Sequence, residues 1–112
     1  MLKATVYTDS EKKPFGFQIS GHSGYAEYGS DIVCSAVSAL AENTVNSIEK
    51  FTKDEPSVLA VNEEEGFLHY RLKTVGKESG LLLDSLVLGL QNIADSYGQF
   101  VQIRYEVADK EE

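Results

Sequence analysis

Apolar and polar positions alternate in two short runs near the start of the chain. In LKATVYTD, residues 2–9, Leu2, Ala4 and Val6 fall on one side and Lys3, Thr5 and Tyr7 on the other. A period of two predicts a half-buried strand. SEKKP, residues 10–14, is polar and ends in proline, which predicts a turn. Residues 15–20 alternate again, Phe15, Phe17 and Ile19 against Gly16, Gln18 and Ser20, so the two strands can close a hairpin. The period then changes. Val33, Val37, Leu40, Thr44, Ile48 and Phe51 recur at three- and four-residue spacing, which predicts a helix from about 32 to 51 with these six as its buried stripe. Pro56 bars its continuation. Residues 57–62 and 66–74 read as strands around the acidic turn Glu63-Glu64-Glu65-Gly66. A second helix is predicted from about Ser79, as N-cap, to Tyr97, with Gly98 as C-cap. Residues 99–107 place Val101, Ile103, Tyr105 and Val107 on one face of a last strand.

The order β-β-α-β-β-α-β predicts an α+β fold of two layers, a five-stranded mixed sheet with two helices, filled by a single domain over residues 1–112. Crossovers that join parallel strands of one sheet are expected to be right-handed. The second helix is apolar on more than one side. Leu82, Leu86, Leu90 and Ile93 make its expected core stripe, and Leu81, Leu83, Val87 and Leu88 are left over. A homodimer interface is one way to cover that surplus, and a deeper place in the core is the other.

Charge narrows the partners. Ten basic residues against eighteen acidic ones leave a net charge of −8. That argues against direct nucleic-acid binding, which depends on Lys and Arg at phosphates. An acidic surface steers neutral or basic partners instead, and also serves plain solubility. The one cysteine leaves no internal disulfide to form, which fits a reducing compartment. The N-terminal residues lack the apolar core of a signal peptide. The most apolar run, Leu81 to Leu90, is too short for a membrane span and carries Asp84. A cytoplasmic protein with no membrane partner is expected.

One stretch stands apart: GHSGYAEYGSDIVCSAVS, residues 21–38. It holds three glycines, His22 and the only cysteine at the mouth of the first helix. A lone cysteine is usually a small buried hydrophobe. Here Cys34 falls in the first helical turn, where free N–H groups and the helix dipole favour a thiolate. It also sits off the stripe of Val33 and Val37. Gly21, Gly24 and Gly29 permit positive φ and close approach by a peptide. His22 ends a strand, so the loop can fold back and bring its imidazole to the thiol as a base. Asp31 has two readings, as N-cap bonding the N–H of Val33 or Cys34, or as the group that orients His22. Ser38, one turn after Cys34, either supports the site or bonds back to the Cys34 carbonyl. The N–H of Cys34 is one candidate oxyanion donor. Tyr25 and Tyr28 are placed to line a peptide groove or to be ordinary exposed loop residues. His69, on the more polar side of its strand, is assigned no role. The paired spacings of zinc sites and the P-loop pattern are both missing, so neither metal nor cofactor is expected.

Two functions remain from the residues themselves: a cysteine endopeptidase and a thiol-based redox protein. The second lacks an internal resolving cysteine. The run Gly21-His22-Ser23-Gly24-Tyr25-Ala26, then Gly29, Asp31-Ile32-Val33-Cys34 and Ser38, resembles the signature of the ribosomal-processing cysteine protease family (Prp), and length and element order agree along the whole chain. The resemblance implies Cys34 as nucleophile and His22 as base. Gly21, Asp31 and Ser38 become supporting positions, and Gly24, Tyr25, Tyr28 and Gly29 belong to a mobile substrate loop. It also implies a homodimer, and it brings in a third reading, a non-catalytic ribosome-assembly factor. The implied substrate is the N-terminal extension of large-subunit ribosomal protein twenty-seven, cut after a hydrophobic, aromatic-rich segment.

Overall fold

The structure, a computed structural model, describes residues 1–22, 24, 26 and 31–110. Seven elements follow in the expected order: β1 (Leu2–Thr8), β2 (Pro14–Ser20), α1 (Ile32–Phe51), β3 (Pro56–Asn62), β4 (Phe67–Leu72), α2 (Lys77–Ser96) and β5 (Val101–Val107). The sheet runs β3-β4-β2-β1-β5. β1 pairs antiparallel with β2 and parallel with β5, with Leu2 opposite Val101 and Thr8 opposite Val107. β4 pairs antiparallel with both β2 and β3. It follows that α1 joins the parallel strands β2 and β3 across β4, and α2 joins β4 and β5 across β2 and β1. The hairpin of β1 and β2 turns on Asp9, whose Oδ1 accepts the N–H of Glu11 at 2.8 Å and of Lys13 at 3.0 Å. The sheet is mixed and carries two helices, as expected.

One core ties the layers together. Ala4 and Leu2 of β1, Phe17 and Ile19 of β2, and Tyr70 and Leu72 of β4 meet Val33, Val37, Ala41 and Ile48 of α1 and Leu83, Leu86 and Leu90 of α2. The expected helix stripes need correction. In α1, Ala41 takes the core position and Leu40 is half-buried, because Leu40 reaches sideways to Gly89 of α2, where a Cβ would lie only 2.8 Å from its Cδ1. Phe51, expected in the core, is 72% exposed at the far end of α1. In α2 the buried line is Ser79, Leu83, Leu86 and Leu90, while Leu82 and Ile93 are only half-buried. Leu81 and Leu88 remain in the open.

The start of α2 also differs from the expectation. Its N-cap is Gly76, not Ser79. A glycine offers no side-chain acceptor, and the carboxylate of Asp54 supplies one from the α1–β3 loop by accepting the Gly76 N–H at 2.9 Å. Ser79 lies one turn in, fully buried, with its hydroxyl 3.3 Å from Thr52 Oγ1. Hydrogen bonds from the Ser79 hydroxyl and then from the Gly76 N–H hold the Asp54 carboxyl below its usual range. The C-cap is Tyr97 rather than Gly98.

The sequence pattern puts Lys3, Thr5 and Tyr7 on the open face of β1, yet Thr5 and Tyr7 are buried. Long side chains cover them from the side away from the helices. The Arg71 guanidinium stacks 3.9 Å from the centroid of the Tyr7 ring, a cation–π contact, and its Nε donates to His69 Nε2 at 3.1 Å. Arg104 Nε reaches Thr5 Oγ1 at 3.4 Å. His69 joins this outer cluster, 5.5 Å from the Tyr7 ring. Burial first, and the charge of Arg71 second, push its imidazole below the ordinary value.

Candidate active site

α1 begins where its sequence says it should, because Asp31 caps it. Asp31 is extended (φ −78°, ψ 102°) and 5% exposed, and its Oδ1 accepts the N–H of both Val33 and Cys34 at 3.0 Å. The Ser35 N–H bonds the Asp31 carbonyl at 3.1 Å. This is the N-cap reading of Asp31. It has a cost for the site: the N–H of Cys34, one of the expected oxyanion donors, is already taken.

The cap sets Cys34 in the first turn, half-buried and away from the buried line of Val33 and Val37. Gly21 directly follows β2 with φ +84°, a left-handed conformation that glycine adopts without strain, and a Cβ there would stand 3.0 Å from the Met1 carbonyl oxygen. That reversal brings the exposed His22 side chain over the helix start, with Nδ1 3.9 Å from Cys34 Sγ. Twelve residues separate the two in sequence, and they meet. The other ring nitrogen, Nε2, lies 3.4 Å from the Glu64 carbonyl oxygen in the β3–β4 turn. Sequence reasoning passed over this contact, since Glu-Glu-Glu-Gly reads as an ordinary hairpin turn.

Sulfur and imidazole stand at one end of a groove of about 920 Å³ between α1 and the edge strand β3. Ser38, Glu42, Asn46 and Glu49 of α1 line one wall, and Leu59, Val61 and Leu68 the other. Leu59 and Val61 sit opposite Tyr70 and Leu68 on β4, so they belong to the helix-facing side of the sheet, yet they are 52% and 58% exposed. The sheet extends past the helices here, and an apolar strip of its inner face is left open. Neither leucine nor valine of β3 was singled out from sequence. The only signal was the apolar content of SVLAVN beside a short helical layer.

Of the other expected positions, Ser38 is exposed on the groove wall and its hydroxyl makes no hydrogen bond among the described residues, so the back-bond to Cys34 is not formed. Gly24 is exposed with φ +76°. Tyr25, Tyr28 and Gly29 lie outside the described residues. Among the described residues no three His, Cys, Asp or Glu side chains gather as metal ligands, and no helix is long and apolar enough to cross a membrane.

A thiol at a capped helix start, faced by an imidazole and opening on a peptide-sized groove, is the layout of thiol-dependent hydrolases. The family model described as Cysteine protease Prp matches residues 1–102, and the chain belongs to that family. It is a cysteine protease. The ribosomal processing cysteine protease Prp of Staphylococcus aureus is 28% identical over 109 residues, covering 95% of this chain and 100% of that protein. Its counterpart from Bacillus subtilis is 26% identical over 102 residues, covering 87% and 90%. The crystal structure of the Staphylococcus aureus protease in complex with a covalently linked product peptide superposes with a TM-score of 0.88 at 29% identity, over 95% of this chain and all of that one. The β-β-α-β-β-α-β fold is shared with it.

Proposed function

We propose that this protease removes the N-terminal extension of large-subunit ribosomal protein twenty-seven in the cytoplasm, with Cys34 as nucleophile and His22 as base. The observation that carries the reading is the 3.9 Å approach of Nδ1 to Sγ at the end of an open groove. His22 takes the thiol proton, and the thiolate attacks the carbonyl carbon of the scissile peptide bond. The tetrahedral intermediate collapses, the C–N bond breaks, and the imidazolium gives its proton to the leaving amine. Water, deprotonated by His22, then attacks the thioester, releases the acid product and restores the thiol. While Asp31 keeps its cap, the oxyanion is held by donors other than the N–H groups of Val33 and Cys34.

The groove suits the substrate. The open strip of Leu59, Val61 and Leu68 offers apolar contact to a hydrophobic, aromatic-rich segment. Glu42, Glu49 and Glu63 border the same groove and favour a basic chain, as a ribosomal protein is. We also place a homodimer contact on the outer side of α2, where Leu81 and Leu88 are 70% and 64% exposed.

The test is direct. The protein is incubated with a peptide carrying the extension and its junction, and products are read by mass. One cut, lost in both Cys34→Ala and His22→Ala with the circular dichroism spectrum unchanged, is the expected result. Cleavage that survives either substitution refutes the dyad.

A further inference from the structure

We infer that the turn between β3 and β4 is a third part of the catalytic apparatus: the main-chain carbonyl of Glu64 holds His22 in the tautomer that leaves Nδ1 free to take the Cys34 proton, and Gly66 makes that contact sterically accessible. The inference rests on the Cys34–His22 reading above and adds to it a positioning group.

A carbonyl oxygen only accepts, so the 3.4 Å contact requires the hydrogen on Nε2. In a neutral imidazole the lone pair is then on Nδ1, the nitrogen that faces Sγ at 3.9 Å. The ring is poised to receive a proton before any substrate arrives. Once it is protonated, the Nε2–H donor carries part of a positive charge and its bond to the carbonyl strengthens. An acidic side chain plays this part in the serine protease triad. Asp31 is committed to the helix cap through Oδ1, and the turn supplies the acceptor at Nε2 instead.

The turn is built for close approach. Asn62 Oδ1 accepts the Glu65 N–H at 3.2 Å, and the Gly66 N–H closes on the Glu63 carbonyl at 3.2 Å. Gly66 has φ +63°. A Cβ at that position would come 2.5 Å from the Gly21 carbonyl oxygen and 3.0 Å from His22 Cε1. Those are the backbone that aims His22 and the ring itself. Any side chain at 66 has to displace one of them. The Glu64 side chain is exposed and has no part in the contact.

The tautomer is measurable without a variant. Long-range proton–nitrogen NMR correlation on ¹⁵N-labelled protein, with His22 assigned by comparison with a His69→Gln sample, is expected to show neutral His22 as the Nε2–H form. Gly66→Ala is expected to mix the two tautomers and lower kcat on the order of 100-fold, with little change in KM. An Nδ1–H ring in the wild-type protein overturns the inference, and so does wild-type turnover by a folded Gly66→Ala. If Gly66→Ala does not fold, the wild-type tautomer decides alone. Loss of cleavage in Cys34→Ala together with an Nδ1–H ring overturns this inference and leaves the proposed function standing. Cleavage that survives Cys34→Ala overturns the proposed function, and this inference with it, whatever the tautomer.

Discussion

Asp31 separates two physical roles that one carboxylate could play, and substitution by Ala and by Asn distinguishes them. Its Oδ1 accepts two N–H groups at 3.0 Å from a position 5% exposed. Asp31→Ala removes the acceptor that both N–H groups share. Losing an N-cap costs about 1 kcal/mol, and leaving a second, half-buried donor unpaired costs about another. For a domain of this size 1 kcal/mol moves Tm by roughly 4 °C, so Asp31→Ala should melt about 8 °C lower. Asn caps nearly as well as Asp, so Asp31→Asn should stay within about 1 kcal/mol of the wild type. Cleavage separates the roles further. If Asp31 acts on helix α1, Asp31→Asn keeps its turnover to within a small factor. If it orients His22 as a triad acid does, the same change should cost about 10⁴ in kcat. Thermal melts followed by circular dichroism, with peptide cleavage by the same preparations, read both quantities. A stable but inactive Asp31→Asn would refute the cap argument, as would an Asp31→Asn that melts as low as Asp31→Ala.

Three further outcomes are expected. Asp54→Ala should cost about 1 kcal/mol in urea denaturation by uncapping α2; because the folded carboxyl is held below its usual range, that contribution is present above about pH 4 and fades as pH falls through the folded value. His69 is depressed by burial and by Arg71, so the unfolded chain binds its proton more readily; stability should fall as pH drops below about 6.5, and His69→Gln should flatten that slope in pH-dependent melts. Leu90→Ala, at a fully buried position between the layers, should cost about 2–5 kcal/mol, and a loss below about 1 kcal/mol in urea denaturation would show that the helical layer is looser than described.

The elements of this fold were legible because each announces itself locally. Alternation marks β1 and β2, helical spacing marks α1, and Asp31 announces the start of α1 with a side chain that accepts the N–H groups of Val33 and Cys34. The face of α2 was not legible in the same way. LLLDSLVLGL carries apolar residues in more than one helical register, and the choice between Leu82 and Leu83 is made by where Ser79 meets Thr52 and where Gly89 admits Leu40. Both are contacts between elements. The α2 cap was hidden for the same reason, since its acceptor stands twenty-two residues upstream. At the site, the pairing of His22 with Cys34 could be anticipated from a glycine-bounded loop, and the structure brings the two within 3.9 Å. The part played by Glu64 could not, because a main-chain oxygen has no letter in a sequence.

The pairing of β1 with β5 has a consequence for how the chain is made. Leu2 and Val101 are neighbours in the sheet although 98 residues lie between them in the chain. During synthesis the first strand emerges early and can close its hairpin with β2, but its other edge stays open until the final strand has been translated. Folding must then wait for the last segment, and a nascent chain stalled short of it exposes a bare strand edge to its neighbours.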